Sequence, residues 1–319
     1  MSSSGIKAAF GGAMISSGRP FDSVEKLKEV FGVLEKYGVK IIDTAQLYGD
    51  SEELLGQAKA GSRFTIDTKA KGGFAAGSGT KENIISEAKE SIRKLGVDKV
   101  DIFYLHAPDS SVPLSSTLAG INEVHKAGLF QRFGLSNYKA EDVQAVHEHC
   151  KEKNYILPSV YQGNYSAVAR KQETILFPTL RKLGMSFYAY SPLAGGFLTK
   201  TKQQVQEGAG RFDPDTPIGK MYSDMYSRPA YLEALQQWEA IAKDAGCSRA
   251  SLAYRWVKYN CPLSSEHGDA IIVGASSIDQ LRQTLEGLNQ GPLDKSIVER
   301  IDGVWKTIEH EAPLDNYNG

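Results

Sequence analysis

Cysteine is scarce: Cys150, Cys247 and Cys261 are the only three in 319 residues. They are odd in number and far apart, which excludes a disulfide framework and a thiolate metal site and suits reduced thiols. Charge of one sign is missing as well. Lys and Arg number 37 against 38 Asp and Glu, a formal net charge of −1, so the average field favours neither a nucleic acid nor an anionic membrane. No apolar run approaches the roughly 20 residues that span a bilayer. No G-x-G-x-x-G turn occurs, which removes the usual signature of a dinucleotide-binding doubly wound sheet. The opening residues MSSSGIKAAFGG carry neither the basic segment nor the apolar core of a secretory signal. The expectation is a soluble, cytoplasmic protein, and the Asn164-Tyr165-Ser166 triplet then reads as a chance glycosylation match.

What is present is a hydrophobic share of 41% and a regular alternation of short apolar strands with amphipathic helices. Strands are expected over 6–12, 39–45, 63–70, 100–107, 130–137, 159–164, 185–193 and 269–276. Their β-branched and aromatic content suits strands buried on both faces of a parallel sheet. Between them, Val24, Leu27, Val30, Phe31 and Leu34 recur at helical spacing, with Asp22 able to cap the start and Gly38 the end. Ile84, Ile85, Ala88, Ile92 and Leu95 form a second stripe between Thr80 and Gly96. Similar stretches follow at 115–127, 139–150, 168–183, 231–245, 248–259, 277–289 and 294–309. Eight strands with helical crossovers are the count that closes a (β/α)8 TIM barrel. A doubly wound sheet lacks its Gly-rich turn and two domains lack a linker, so residues 1–319 read as one barrel domain.

Two segments break the rhythm. Residues 72–80 (GGFAAGSGT) read as a flexible loop after the third strand. Residues 199–230, with Gly208, Gly210, Pro214, Pro217, Gly219 and Pro229, carry no helical or strand period and read as a lid-like loop. Both follow the C-terminal end of a strand, where barrel active sites are built.

The C-terminal ends of the strands hold a polar series: Asp43, Lys69, His106, Ser136-Asn137, Gln162 and Tyr190-Ser191, with Tyr48 five residues beyond Asp43. Each alone has a bland reading as a cap, a solvated lysine or a structural histidine. A barrel brings them to one rim. There, an ammonium beside a tyrosine lowers the phenol's pKa, a carboxylate fixes the ammonium, and a neutral histidine can orient a carbonyl oxygen. The set suits proton delivery to an oxygen gaining negative charge. That is half of a carbonyl reduction, and the other half needs a hydride donor that no side chain supplies.

The segments IDTAQLYG (42–49), TK (68–69), YLHAPD (104–109), GLSNY (134–138), YQGNY (161–165), YSPLAGGFLT (190–199) and GASSIDQLRQTL (274–285) together resemble the aldo-keto reductases, and within them the aflatoxin-aldehyde reductase branch. The resemblance runs in order over roughly residues 6–313. It implies Tyr48 as proton donor, Lys69 and Asp43 as the pair that tunes it, and His106 as the carbonyl-orienting group. Lys71, two residues past Lys69, falls outside the motif. Ser136, Asn137 and Gln162 match positions that hold a nicotinamide carboxamide, and Tyr190 the ring that stacks on it. Ser191, Leu193, Gly195 and Thr199 match the pyrophosphate stretch, and Lys200 and Arg211 are further cofactor-binding candidates. Gly274, Ser276, Ser277, Gln280, Arg282 and Gln283 match the adenosine 2′-phosphate region near a helix start. Gln280 stands where many members carry an Arg, so Arg282 and Arg211 are candidates for the missing positive charge.

The resemblance therefore implies NADPH as cofactor and an aldehyde as substrate, with Tyr48, His106 and Tyr222 as substrate contacts. Members that grip a substrate carboxylate carry an arginine three residues after the tyrosine at 222, where this chain has Met225, and another in the tail, which here reads Asn316-Tyr317-Asn318-Gly319. Neutral or aromatic aldehydes are the expectation. A homodimer is implied by the same branch. Potassium-channel β-subunits also resemble this family, so a cofactor-sensing interaction subunit with little turnover is the rival reading. The Y-x-x-x-K of Tyr254 to Lys258 lies in an amphipathic helix and reads as coincidence. His147, His149 and Cys150 read as a solvated helix face, and no metal is expected.

Overall fold

A computed structural model describes residues 5–318. Eight parallel strands, β1 (Lys7–Gly11), β2 (Ile41–Asp43), β3 (Thr65–Ala70), β4 (Val100–Leu105), β5 (Phe130–Ser136), β6 (Pro158–Asn164), β7 (Ser186–Tyr190) and β8 (Ala270–Val273), close into a barrel in chain order, with β8 paired back onto β1. This is the expected (β/α)8 architecture. Alternate residues serve different cores. Ala9, Ile41, Ile102, Tyr104, Val160, Tyr188, Ala270 and Ile272 form an inner cluster. Residues of opposite parity, such as Ile42, Ile66, Phe103, Leu135 and Ile271, join the larger core beneath the helices.

The helices are α1 (Val24–Lys36), α2 (Ser51–Gln57), α3 (Lys81–Leu95), α4 (Leu114–Lys126), α5 (Ala140–Glu152), α6 (Gln172–Ile175), α7 (Phe177–Lys182), α8 (Lys202–Gln206), α9 (Pro217–Tyr226), α10 (Pro229–Asp244), α11 (Arg249–Arg255), α12 (Ile278–Leu288) and α13 (Lys295–Ile308). Among the described residues no helix is long and apolar enough to cross a membrane. Capping follows local chemistry. Thr80 accepts the Asn83 amide at the start of α3, and Gly96 ends it at φ 62°. At α1 the cap is Ser23, which accepts the Lys26 amide, whereas Asp22 instead pairs with the Lys26 ammonium at 2.9 Å.

Four expectations need correction. The stretch 168–183 is two short helices rather than one. Arg170 turns inward to stack on Trp256 at 4.1 Å and to bind Asp302 at 2.7 Å, and Pro178 can only stand in the first turn of a new helix. The stretch 248–259 is α11 continued by a π-helical turn, Trp256–Asn260. Residues 72–80 are pinned, not loose: Ser78 donates to Gly72 O at 2.8 Å, Gly79 N to Asp109 at 3.0 Å and Thr117 to Gly79 O at 2.7 Å.

The excursion 199–230 does contain helices, α8 and α9. An aromatic spine packs α9 against its neighbours: Phe197–Tyr226 (5.5 Å between ring centres), Tyr222–Tyr226 (6.3 Å), Phe212–Tyr222 (6.1 Å) and Phe197–Tyr231 (5.8 Å). Such pairs contribute about 0.5–1.5 kcal/mol each beyond area burial. Apart from Tyr222–Tyr226, which lies at helical spacing within α9, they join residues too far apart for any local period to reveal.

The short helix α2, absent from the sequence expectations, directly follows the loop of Tyr48 and packs on the end of α3. A methyl group at Gly56 would run into the Lys94 carbonyl oxygen, which is backbone and cannot swing aside. Helix propensity alone would make Gly56→Ala stabilising by about 1 kcal/mol. The clash dominates, so Gly56→Ala is expected to destabilise the fold by about 1–3 kcal/mol in urea denaturation; an unchanged or raised midpoint would show that the α2–α3 contact is not tight.

Candidate active site

The C-terminal ends of the strands surround a cavity of about 500 Å³. Asp43, Tyr48, His106, Ser136, Asn137, Gln162, Tyr190, Ser191, Leu193, Gly195, Thr199, Lys200, Arg211, Tyr222, Gly274, Ser276 and Gln280 all border it. Residues separated by more than 230 positions thus share one wall, because in-register parallel pairing puts every strand's end on the same rim.

Its floor is an ion pair. Lys69 is fully buried and its Nζ donates to Asp43 Oδ2 at 2.6 Å and to Thr44 O at 2.8 Å. Gln162 Nε2 donates to the other oxygen, Asp43 Oδ1, at 2.9 Å. Burial alone would push the Lys69 ammonium toward its neutral form, but Asp43 and the Tyr48 phenol beside it outweigh that, and its pKa is raised. Lys71 stands outside, paired with Glu87 at 3.0 Å on the surface.

Tyr48 lies above Lys69, the ammonium 5.4 Å from the ring centre. Here the electrostatic expectation reverses. Burial raises the Tyr48 pKa more than Lys69 lowers it, and Asp43 opposes Lys69 further. The phenol is therefore protonated at neutral pH, the state a proton donor needs. His106 crosses Tyr48 edge to face at 5.9 Å. Burial and, secondarily, Lys69 lower the His106 pKa to about 3. Its Nδ1 is buried without a partner, so the ring is neutral and has unused hydrogen-bonding capacity.

The far wall is backbone in unusual conformations. Of the non-glycine residues with positive φ among the described residues, Asn137 (60°), Ser191 (54°) and Ala194 (51°) stand at or beside the cavity. Strain of this kind costs about 1–3 kcal/mol per residue and gathers at functional sites. Asn137 is held by donating to His106 O at 2.8 Å and by accepting the Tyr190 hydroxyl at 2.8 Å. Gly195 follows at φ 69°, and a Cβ there would overlap the Tyr222 ring. Lys200 Nζ lies 3.6 Å from where a Gly196 Cβ would stand and 3.5 Å from that of Gly210, and the field of Arg211 reaches it. Neither Lys200 nor Arg211 makes an ion pair among the described residues. Burial and Arg211 lower the Lys200 pKa. Two neighbouring cations without a carboxylate, over open glycine backbone, form a cradle for an anion.

Some proposed contacts fall elsewhere. Arg282 turns away to Asp279 at 2.9 Å, so the positive charge beside this cavity is Lys200 with Arg211, not Arg282. Gln283 is exposed and Ser277 is spent on capping α12, where it accepts the Gln280 amide at 3.1 Å. Gln280 Oε1 accepts from Ser276 N at 2.6 Å and Ser276 Oγ at 2.8 Å. The Tyr254–Lys258 motif separates: Tyr254 borders the cavity and donates to Gly274 O at 3.3 Å, while Lys258 binds Asn289 at 3.0 Å. No group of metal-ligating side chains occurs among the described residues. Sequence reading missed Met14, Phe74, Tyr254 and Asn316 as wall residues. Only Phe74 had a local signal, a lone aromatic among glycines. It meets His106 and Tyr317 edge to face, each at 5.1 Å.

The lowered His106 pKa has a stability consequence. The unfolded chain binds its proton near pH 6.5 and the folded one only near pH 3. The contribution is therefore fully present above pH 6.5 and is lost as pH falls from there towards 3. Nitrogen NMR of labelled imidazole is expected to show His106 neutral at pH 5; a protonated ring at that pH would refute the assignment.

The aldo/keto reductase family model matches residues 7–306. The oxidoreductase sirO of Leptosphaeria maculans is 41% identical over 310 residues, covering 96% of this chain and 94% of that protein. Human aflatoxin B1 aldehyde reductase member 4 is 38% identical over 317 residues, 95% of each chain. Rat aflatoxin B1 aldehyde reductase member 2 is 36% identical over 310 residues, 93% of this chain and 84% of its own.

Proposed function

This chain belongs to the aldo/keto reductase family, and on that premise we propose that it reduces aldehydes to primary alcohols with NADPH, Tyr48 giving the proton. The observation that carries the reading is the convergence of Tyr48, neutral His106 and the buried Lys69–Asp43 pair on one cavity that Lys200 and Arg211 also border.

The residues fit the cofactor. Lys200, Arg211 and the open backbone at Gly196 and Gly210 suit a pyrophosphate or 2′-phosphate, with Ser276 and Gln280 at the adenosine end. Ser136, Asn137 and Gln162 would hold the carboxamide, and Tyr190 would pack on the ring. When bound, the cofactor supplies the hydride. The chain's own residues do the rest. His106 donates a hydrogen bond that orients the carbonyl oxygen, and Tyr48 transfers its phenolic proton to that oxygen as negative charge builds there. The Lys69 ammonium stabilises the phenolate that remains until solvent reprotonates it, and Asp43 keeps Lys69 in place. The two unpaired cations favour NADPH over NADH.

Neutral or aromatic aldehydes suit the substrate end. Tyr48, His106, Phe74 and Tyr222 present ring faces and edges, and Met225 is buried in the hydrophobic core. The aldehyde reductase names of the human and rat relatives point the same way. A cytoplasmic setting and a homodimeric assembly belong to the same proposal.

The deciding experiment is NADPH oxidation with a panel pairing neutral aromatic aldehydes with carboxylate-bearing ones. Neutral aromatic substrates should give the higher kcat/KM, and Tyr48→Phe should lower kcat at least a thousandfold while leaving NADPH affinity within about threefold. Tight NADPH binding without turnover across the panel would make the chain a cofactor sensor instead. Removing both cations, Lys200→Ala with Arg211→Ala, should weaken NADPH binding at least tenfold by fluorescence titration, since charge-assisted hydrogen bonds contribute about 1.5–3 kcal/mol each; unchanged affinity would place the phosphates elsewhere.

A further inference from the structure

One buried acid has no part in this mechanism. Asp67 stands directly opposite Asp43 in the β2–β3 register and two residues before Lys69 on β3. Two carboxyl-bearing residues are therefore neighbours across the β2–β3 pairing, with one ammonium, that of Lys69, nearby. The ammonium is committed to Asp43.

Asp67 is fully buried. Its Oδ1 accepts a single bond, from Ile102 N at 3.1 Å, and its Oδ2 has no partner. The guanidinium of Arg132 is engaged by Asp101 at 3.0 and 2.7 Å and by the Tyr188 hydroxyl at 3.2 Å. On β4, Tyr104 also lies in the interior, its ring 5.6 Å from Lys69 Nζ and its hydroxyl buried without a partner. An isolated carboxylate with one bare oxygen in a dry interior costs several kcal/mol, far more than taking up a proton. Like charges at such range cannot both ionise.

We propose that Asp67 is held as a neutral carboxylic acid in the barrel interior, so that Lys69 serves Asp43 and Tyr48 alone. Were Asp67 ionised, Lys69 would face two anions, and its field at the Tyr48 oxygen would be largely cancelled. Burial, then Asp43 and Asp101, raise the Asp67 pKa well above the usual carboxylate range, against Arg132. Burial likewise raises that of Tyr104.

The proposal rests on the assignment of Lys69 and Tyr48 above, and its test separates the two. Infrared difference spectra of wild type minus Asp67→Asn at pH 7 should show a protonated-carboxyl band that only wild type has. In aldehyde reduction Asp67→Asn, one neutral group for another, should keep kcat within about threefold and leave its pH profile in place. Absence of that band, or a pH profile shifted to lower pH by removal of a real anion, overturns the proposal. If the variant does not fold, Glu52→Gln provides the second route, since Glu52 is the other buried carboxyl whose pKa burial raises. An acid band persisting at pH 8 in that variant supports Asp67, and its disappearance overturns the proposal. A wild type that shows the band yet reduces no aldehyde sinks the reductase reading and leaves the protonation of Asp67 standing.

Discussion

The structure above the barrel depends on one contact, the 2.6 Å ion pair of Lys69 and Asp43. Its Coulombic attraction competes with the cost of removing two charges from water, and removing one partner of such a pair typically costs about 3–5 kcal/mol. What makes it tolerable is hydrogen bonding on every side: Thr44 O accepts from the ammonium and Gln162 donates to the second carboxylate oxygen. Those contacts tie β2, β3 and β6 together at one level of the lumen. The floor of the cavity is thus also a fastening of the barrel, and Tyr48 and His106 are placed relative to it.

Above that floor, the molecule holds strained backbone with stiff supports. Asn137 keeps its left-handed conformation because His106 O and the Tyr190 hydroxyl bind its amide, and Asn318 from the C-terminal tail donates to its carbonyl at 3.0 Å. The tail is itself held by Asp315, which accepts the amides of Tyr317 and Asn318. The turns after β7 rest on Tyr222, whose ring occupies the space a side chain at Gly195 would need. The aromatic spine from Phe197 to Tyr231 then fixes the excursion that carries Lys200 and Arg211.

Much of this was legible residue by residue. The eight strands followed from β-branched and aromatic runs, and the polar side chains that end them do border one cavity. What stayed hidden has physical causes. Helix α9 leans on Phe197 and Phe212, which lie outside it, and α8 is only five residues long and held by its Thr201–Gln204 capping box, so 199–230 looked structureless. Pro178 and the inward turn of Arg170 broke a stripe that local spacing read as continuous. Arg282 carries the right charge in the right segment, yet a partner three residues back draws it off the cavity. Met14, Tyr254 and Asn316 reach the wall from loops and a helix whose direction no window of sequence encodes.

Taken alone, the amino-acid order determined the barrel, the neutral overall charge and which side chains end each strand, because strand alternation and helical spacing are short-range rules. The tertiary structure decided how those side chains behave. A tyrosine beside a lysine is expected to lose its proton more easily, but in this cavity desolvation outweighs the ammonium and Tyr48 stays protonated. His106 likewise is kept neutral by its burial, with Lys69 adding to the effect. Charge state depends on dielectric and distance, and both are properties of the closed barrel rather than of the chain that forms it.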